Sequence, residues 1–100
     1  MIIEFRSRRL RKCYESHREA QRAWGREVAV NYIKRIDLLQ AIHELEDLAA
    51  FPQLHYEALT GDRLGRHSIR LTGMMRLIFS LRGERLEIIR IEEVSKHYGH

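Results

Sequence analysis

The hydrophobic period of this chain changes at Pro52, and that change does most to limit the folds open to it. From Arg26 to about Ala50 the pattern is helical, with Val28, Ala29, Tyr32, Ile33, Ile36 and Leu39 on one face. Leu38, Ala41, Ile42 and Leu45 fall on a different face, which predicts a bend or a second packing surface, covered by another helix of the chain or by a partner protein. Beyond Pro52 the period becomes two: His67 to Thr72 and Met75 to Leu81 alternate, and after an Arg82-Gly83-Glu84-Arg85 turn Leu86 to Val94 forms a third strand candidate.

The N-terminal part completes the outline. Met1 to Phe5 alternates as a short strand, and Ser7 offers an N-cap to a helix whose Leu10, Cys13 and Tyr14 make an i, i+3, i+4 apolar stripe. Ser16 and Glu19 are spaced as a capping box for a further helix, which Trp24-Gly25 ends, with Trp24 expected as a core anchor. The pattern predicts an α+β fold: an N-terminal strand and two to three helices packed on one face of a small antiparallel sheet. Its 100 residues suit one domain, 1-100, because single cores serve chains of about 50–200 residues.

Charge then narrows the partners. Lys and Arg total 18 against 14 Asp and Glu, a net charge of +4, with arginine in excess of lysine, and that balance favours a polyanion. Arg6, Arg8, Arg9, Arg11 and Lys12 cluster on the first helix, where the apolar stripe forces them outward as a candidate RNA-docking surface. The longest apolar runs fall far short of the ~18 residues that cross a bilayer, so a cytoplasmic location without membrane contact is expected. Cys13 is the only cysteine, so neither an intrachain disulfide nor a thiolate metal cluster is available, and it is expected as a small buried residue.

Alternation also sorts the candidate site. With Ile69, Leu71, Leu77, Phe79 and Leu81 toward the helices, Ser68, Arg70, Thr72, Arg76 and Ser80 occupy the opposite face. A three-residue loop keeps Arg70 and Arg76 together there, either as a phosphate-binding pair or as an ordinary solvated face. The run from Glu57 to Arg66 holds Gly61, Gly65, Arg63 and Arg66, whose turns could approach a phosphate but lack the Lys-Ser/Thr of a nucleoside triphosphate loop. The tail gathers Lys96, His97, Tyr98 and His100, side chains able to move protons near neutral pH. His97 and His100 have no acidic or thiolate companion at a metal-ligand spacing, so no metal and no cofactor are expected.

The run EALTGDRLGRHSIRLTGMMRLIF, Glu57 to Phe79, resembles the signature of the RelE/ParE superfamily of bacterial toxins, and within it the HigB-like plasmid maintenance killer branch. The match lies in the Leu59-Thr60-Gly61-Asp62-Arg63-Leu64-Gly65 loop, the Ser68-Ile69-Arg70 strand and the Arg76-Leu77-Ile78-Phe79 strand that follows. The resemblance implies a type II toxin–antitoxin toxin that cuts mRNA in the ribosomal A site without a metal and is held in check by a cognate antitoxin. It implies that Arg76 contacts the scissile phosphate; beside it the residues themselves offer Arg70 as a second cation, Glu57, His97 and Tyr98 as proton-transfer candidates, and Arg8, Arg9, Arg11, Lys12, Arg63, Arg66 and Lys96 as contacts to RNA. The sequence departs from the pattern at Thr60, where a loop lysine is frequent, at Glu57, where some members carry a histidine, and at Lys96-His97-Tyr98 in place of an Asp-Tyr-His ending. The alternatives are a ParE-like inhibitor of DNA gyrase and a non-catalytic RNA-binding module.

Overall fold

A computed structural model of the protein describes residues 1–96. Strand β1 (Ile2–Phe5) leads into helices α1 (Arg8–Glu15), α2 (His17–Trp24) and α3 (Arg26–Ala41). Short 3₁₀ turns at Leu45–Ala50 and Pro52–Leu54 follow, then β2 (Glu57–Ala58), a further turn at Gly61–Arg63, and strands β3 (Arg66–Arg70), β4 (Met75–Arg82) and β5 (Ile88–Lys96). The helix starts follow from local chemistry. The Ser7 side chain accepts from the Leu10 amide and the Ser16 side chain from the Glu19 amide, each satisfying a donor the helix leaves open. Gly25, with φ 85°, ends α2 and opens α3 in one residue.

The five strands form one sheet in the order β1-β5-β4-β3-β2. The meander β3-β4-β5 is antiparallel, as alternation predicts, but β1 lies parallel to β5, so the sheet is mixed rather than wholly antiparallel. A hairpin cannot produce that pairing; the three intervening helices carry the chain across the sheet before the meander begins. The three helices cover one face. Ala29, Tyr32, Ile36 and Leu39 of α3 meet Ile69, Leu77, Phe79, Ile89 and Ile91 of the sheet, all fully buried. The Tyr32 hydroxyl donates to the Leu10 carbonyl at 2.8 Å, so the largest polar side chain of this core is satisfied.

The helical pattern read to about Ala50 is interrupted at Ala41, where the shift of apolar face predicts a bend; the helix ends there outright. Ile42 is extended (φ −74°, ψ 154°), and the Asp47 carboxylate accepts from the amides of His43 and Glu44, giving those donors a partner outside a helix. The chain then folds back, and Leu48 and Leu54 enter the core that a continuing helix could not reach. Trp24 is half-buried against Tyr32, with ring centroids 4.7 Å apart, and Cys13 is buried, as expected. Among the described residues no helix is long and apolar enough to cross a membrane.

A candidate nucleic-acid site on the open face of the sheet

Because strands alternate, the residues between the core positions point away from the helices and make a second, open face. Its first row is Arg70, Arg76 and Ser95, directly opposite one another on β3, β4 and β5. Its second row is Glu57, Ser68, Ile78 and Glu93. The loop between β3 and β4 closes with the Leu71 and Thr72 amides both donating to the Met75 carbonyl, and this turn puts Arg70 and Arg76 in one register. Helix α3 holds the same turn from behind: Asn31 Nδ2 donates to the Leu71 carbonyl at 2.7 Å and Arg35 Nε to the Arg70 carbonyl at 3.2 Å.

Arg76 is the centre of this face, and it is not the surface residue that alternation alone suggests. It is 5 % exposed. Its Nε donates to the Ser68 hydroxyl, and its Nη2 donates to the His55 carbonyl and, at 3.3 Å, to the Ser68 carbonyl. Nη1 takes no partner among the described residues. Burial pulls the guanidinium below its ordinary pKa; the nearby Glu57 carboxylate opposes that shift and Arg70 adds to it. Such a group remains a cation at any physiological pH.

A cavity of about 340 Å³ opens above Arg76. Glu57, Ala58, Leu59, Thr60 and Arg63 line it from β2 and the turn that follows, and Ser68, Ile78, Ser95 and Lys96 from β3, β4 and β5. Four residues that the sequence singles out separately, Glu57, Arg63, Arg76 and Lys96, thus meet in one place. Glu57 does so because residues expected as loop form β2, paired through Glu57 to Ser68. Gly61 and Gly65 adopt φ of 68° and 91°, and a Cβ at either would meet nothing within 4 Å. Their contribution is therefore the turn that carries Arg63 to the cavity.

Other candidates lie elsewhere. Arg66 faces the open side but is engaged by carboxylates, Glu93 at 3.3 Å and Glu92 at 3.8 Å. An irregularity in the β4–β5 pairing inserts Glu92 as an extra residue, so that Glu92 and Glu93 both reach Arg66. Glu92 is buried, accepts from the Ser80 hydroxyl at 2.6 Å and has Arg6 at 4.0 Å. The open face is accordingly cationic at the Arg70–Arg76 end and charge-balanced at the other. Arg8, Arg9, Arg11 and Lys12 are exposed on α1, which packs on the helical side, apart from the cavity. His97, Tyr98 and His100 lie outside the described residues.

Two contributors escape sequence reading. The His55 carbonyl, which holds Nη2, belongs to a residue in the left-handed conformation (φ 46°), and a backbone oxygen leaves no trace in residue identity. Tyr56 bonds His67 across β2 and β3, with Oη 2.7 Å from Nδ1, an aromatic-to-imidazole pairing that only the register reveals.

The α+β fold, a helical layer on a mixed five-stranded sheet, matches that of solved RelE/YoeB-like toxins. Comparable structures include a YoeB/ParE toxin from Agrobacterium tumefaciens, with TM-score 0.58 and 18% identity over 98% of this chain and 100% of that one; YoeB in the YoeB-YefM complex from Staphylococcus aureus, with TM-score 0.60 and 19% identity over 98% of each chain; and YafQ from E. coli, with TM-score 0.57 and 16% identity over 95% of this chain and 91% of that one. Comparison with protein families and with curated proteins finds no match.

Proposed function

We propose that this protein is the toxin of a type II toxin–antitoxin pair, of the HigB-like kind, and that it cleaves mRNA on the ribosome in the cytoplasm without a metal ion. One observation carries the reading: Arg76 is buried, is held by Ser68 and His55, and lines a cavity together with Glu57, Arg63 and Lys96. A fixed cation lining a cleft is suited to charge that develops on phosphate oxygens, because it needs no reorganisation as that charge grows.

In the proposed step the mRNA 2′-oxygen attacks the adjacent phosphorus and the bond from phosphorus to the 5′-oxygen breaks. Glu57 takes the proton of the 2′-hydroxyl, Arg76 and Arg70 stabilise the phosphate oxygens, and His97 or Tyr98 delivers a proton to the departing 5′-oxygen. The products are a 2′,3′-cyclic phosphate and a free 5′-hydroxyl. Arg63 and Lys96 hold the flanking backbone, Arg66 borders its path, and Arg8, Arg9, Arg11 and Lys12 dock ribosomal RNA. The fold shared with YoeB in a YoeB-YefM complex supports an antitoxin partner.

The test is a translating lysate in which mRNA ends are mapped. The protein should produce new 5′ ends within translated codons, and naked mRNA should be cut far more slowly. His97→Gln and Tyr98→Phe should each slow cleavage by roughly 10²–10⁴-fold if they act in general acid–base catalysis. Arrest of translation with no new ends would leave a non-catalytic RNA-binding module, and supercoiling defects with translation intact would favour the gyrase inhibitor.

A further inference from the structure

Residues 55, 56 and 57 are consecutive, yet they serve the two faces of the sheet differently. The His55 carbonyl accepts from Arg76 Nη2, and Glu57 enters β2 opposite Ser68 and lines the Arg76 cavity. Tyr56, between them, turns to the helical side. There its hydroxyl bonds His67 Nδ1 at 2.7 Å, and the two rings are nearly parallel, with centroids 5.8 Å apart and 17° between planes. The His67 ring lies in turn 5.4 Å from Phe79, also at 17°, and Phe79 is fully buried. A short edge strand is thus anchored, through a stack of three rings, to a side chain that cannot move without opening the core.

The anchor is needed. β2 has only two residues, and a two-residue edge pairing supplies few ladder hydrogen bonds. His55 is held in the left-handed region, a conformation that is costly for a non-glycine residue and persists only where its surroundings enforce it. Its neighbour on one side is Leu54, buried, and on the other Tyr56, fixed to His67.

We propose that Tyr56 and His67 are positioning residues, a clamp on the helical face that sets the His55 carbonyl and the Glu57 carboxylate against Arg76 on the open face. Neither residue lines the Arg76 cavity; both act through the backbone of residues 55–57. Burial lowers the pKa of His67, so the imidazole is neutral at neutral pH and the bond to Tyr56 runs in either direction according to the tautomer. The role in catalysis rests on the nuclease reading above, whereas the effect on Arg76 does not.

The test uses the full chain and two readouts. Tyr56→Phe removes the bond and keeps the stack; His67→Phe does likewise from the other side; His67→Gln restores a donor and acceptor without the ring. Solvent exchange of the Arg76 Nε proton, followed by NMR, should quicken in Tyr56→Phe and His67→Phe and recover in part in His67→Gln. In the translating lysate kcat should fall by on the order of 10- to 100-fold with KM unchanged, the scale of a reacting group displaced by about 1 Å. The double variant should lose no more than either single variant. If wild type cleaves nothing, the nuclease reading fails and the exchange result alone decides the clamp. Unchanged Arg76 exchange in both phenylalanine variants overturns the clamp, as does a cleavage loss that appears only in KM.

Discussion

Arg70 and Arg76 stand directly opposite one another across the β3–β4 hairpin. Like charges in a cross-strand pair destabilise a sheet, so the pairing is an expense to the fold that a ligand anion would offset. Arg70→Gln should therefore raise stability, by about 0.2–1 kcal/mol in urea unfolding, while slowing mRNA cleavage. A variant that is less stable than wild type would mean that Arg70 is held by favourable contacts and is not a strained half of an anion site.

Arg76 itself is tied into the sheet, so its removal should register twice. Arg76→Ala leaves the Ser68 hydroxyl and the His55 carbonyl without their donor, a loss of about 1–3 kcal/mol in stability. Cleavage should fall by the equivalent of about 2–4 kcal/mol, the usual loss when one charge-stabilising donor is removed. Arg76→Lys separates the two effects, since it keeps the charge and loses the fork. Wild-type cleavage by a folded Arg76→Ala protein would remove Arg76 from the mechanism.

Glu92 is the buried carboxylate of the open face, accepting from Ser80 and lying near Arg66 and Arg6. Glu92→Ala should destabilise the sheet by about 1–3 kcal/mol, because the Ser80 hydroxyl and the Arg66 guanidinium lose a shared acceptor. Freed of one carboxylate, Arg66 should also bind RNA more strongly, with a steeper salt dependence. Filter binding at several salt concentrations reads both; a slope identical to wild type would show that Glu93 alone holds Arg66.

Neutralising Arg8, Arg9, Arg11 and Lys12 together should weaken ribosome binding and flatten its dependence on salt, since fewer counterions are released. The cavity lies on the other face of the sheet and should keep its geometry. Sedimentation with ribosomes at low and high salt distinguishes a docking surface from a solvated one, for which the quadruple variant would bind as wild type does.

His67 makes stability depend on pH. Burial depresses its folded-state pKa below the unfolded value, so the unfolded chain takes up the proton first. Its contribution is complete above the unfolded pKa, about 6.5, and is lost as pH falls through the lower folded value. Between pH 7.5 and pH 5 the urea midpoint of wild type should drop further than that of His67→Phe. Equal drops would place the acid sensitivity elsewhere.

The open-face pair was legible because period two is unambiguous once the β3–β4 loop length is known: Ser68, Arg70 and Arg76 fall on one side with no knowledge of the rest of the fold. Helix starts were legible for the same local reason, at Ser7 and Ser16. What periodicity misses is what distant residues decide. The end of α3 depends on one Asp47 carboxylate competing for two amides, the two residues of β2 are too few to alternate, and the burial of Arg76 comes from a backbone carbonyl at His55. Both carboxylates around Arg66 depend on a single extra residue in β5, which shifts register without altering the residue pattern.

The parallel seam between β1 and β5 also orders events in time. Ribosomes release a chain from its N-terminus, so β1 emerges first and must wait, unpaired, until the residues of β5 have followed. Ser95 and Lys96, which complete the cavity, belong to that same last strand. A nascent copy therefore lacks one side of the cavity until the strand that closes the sheet has been made.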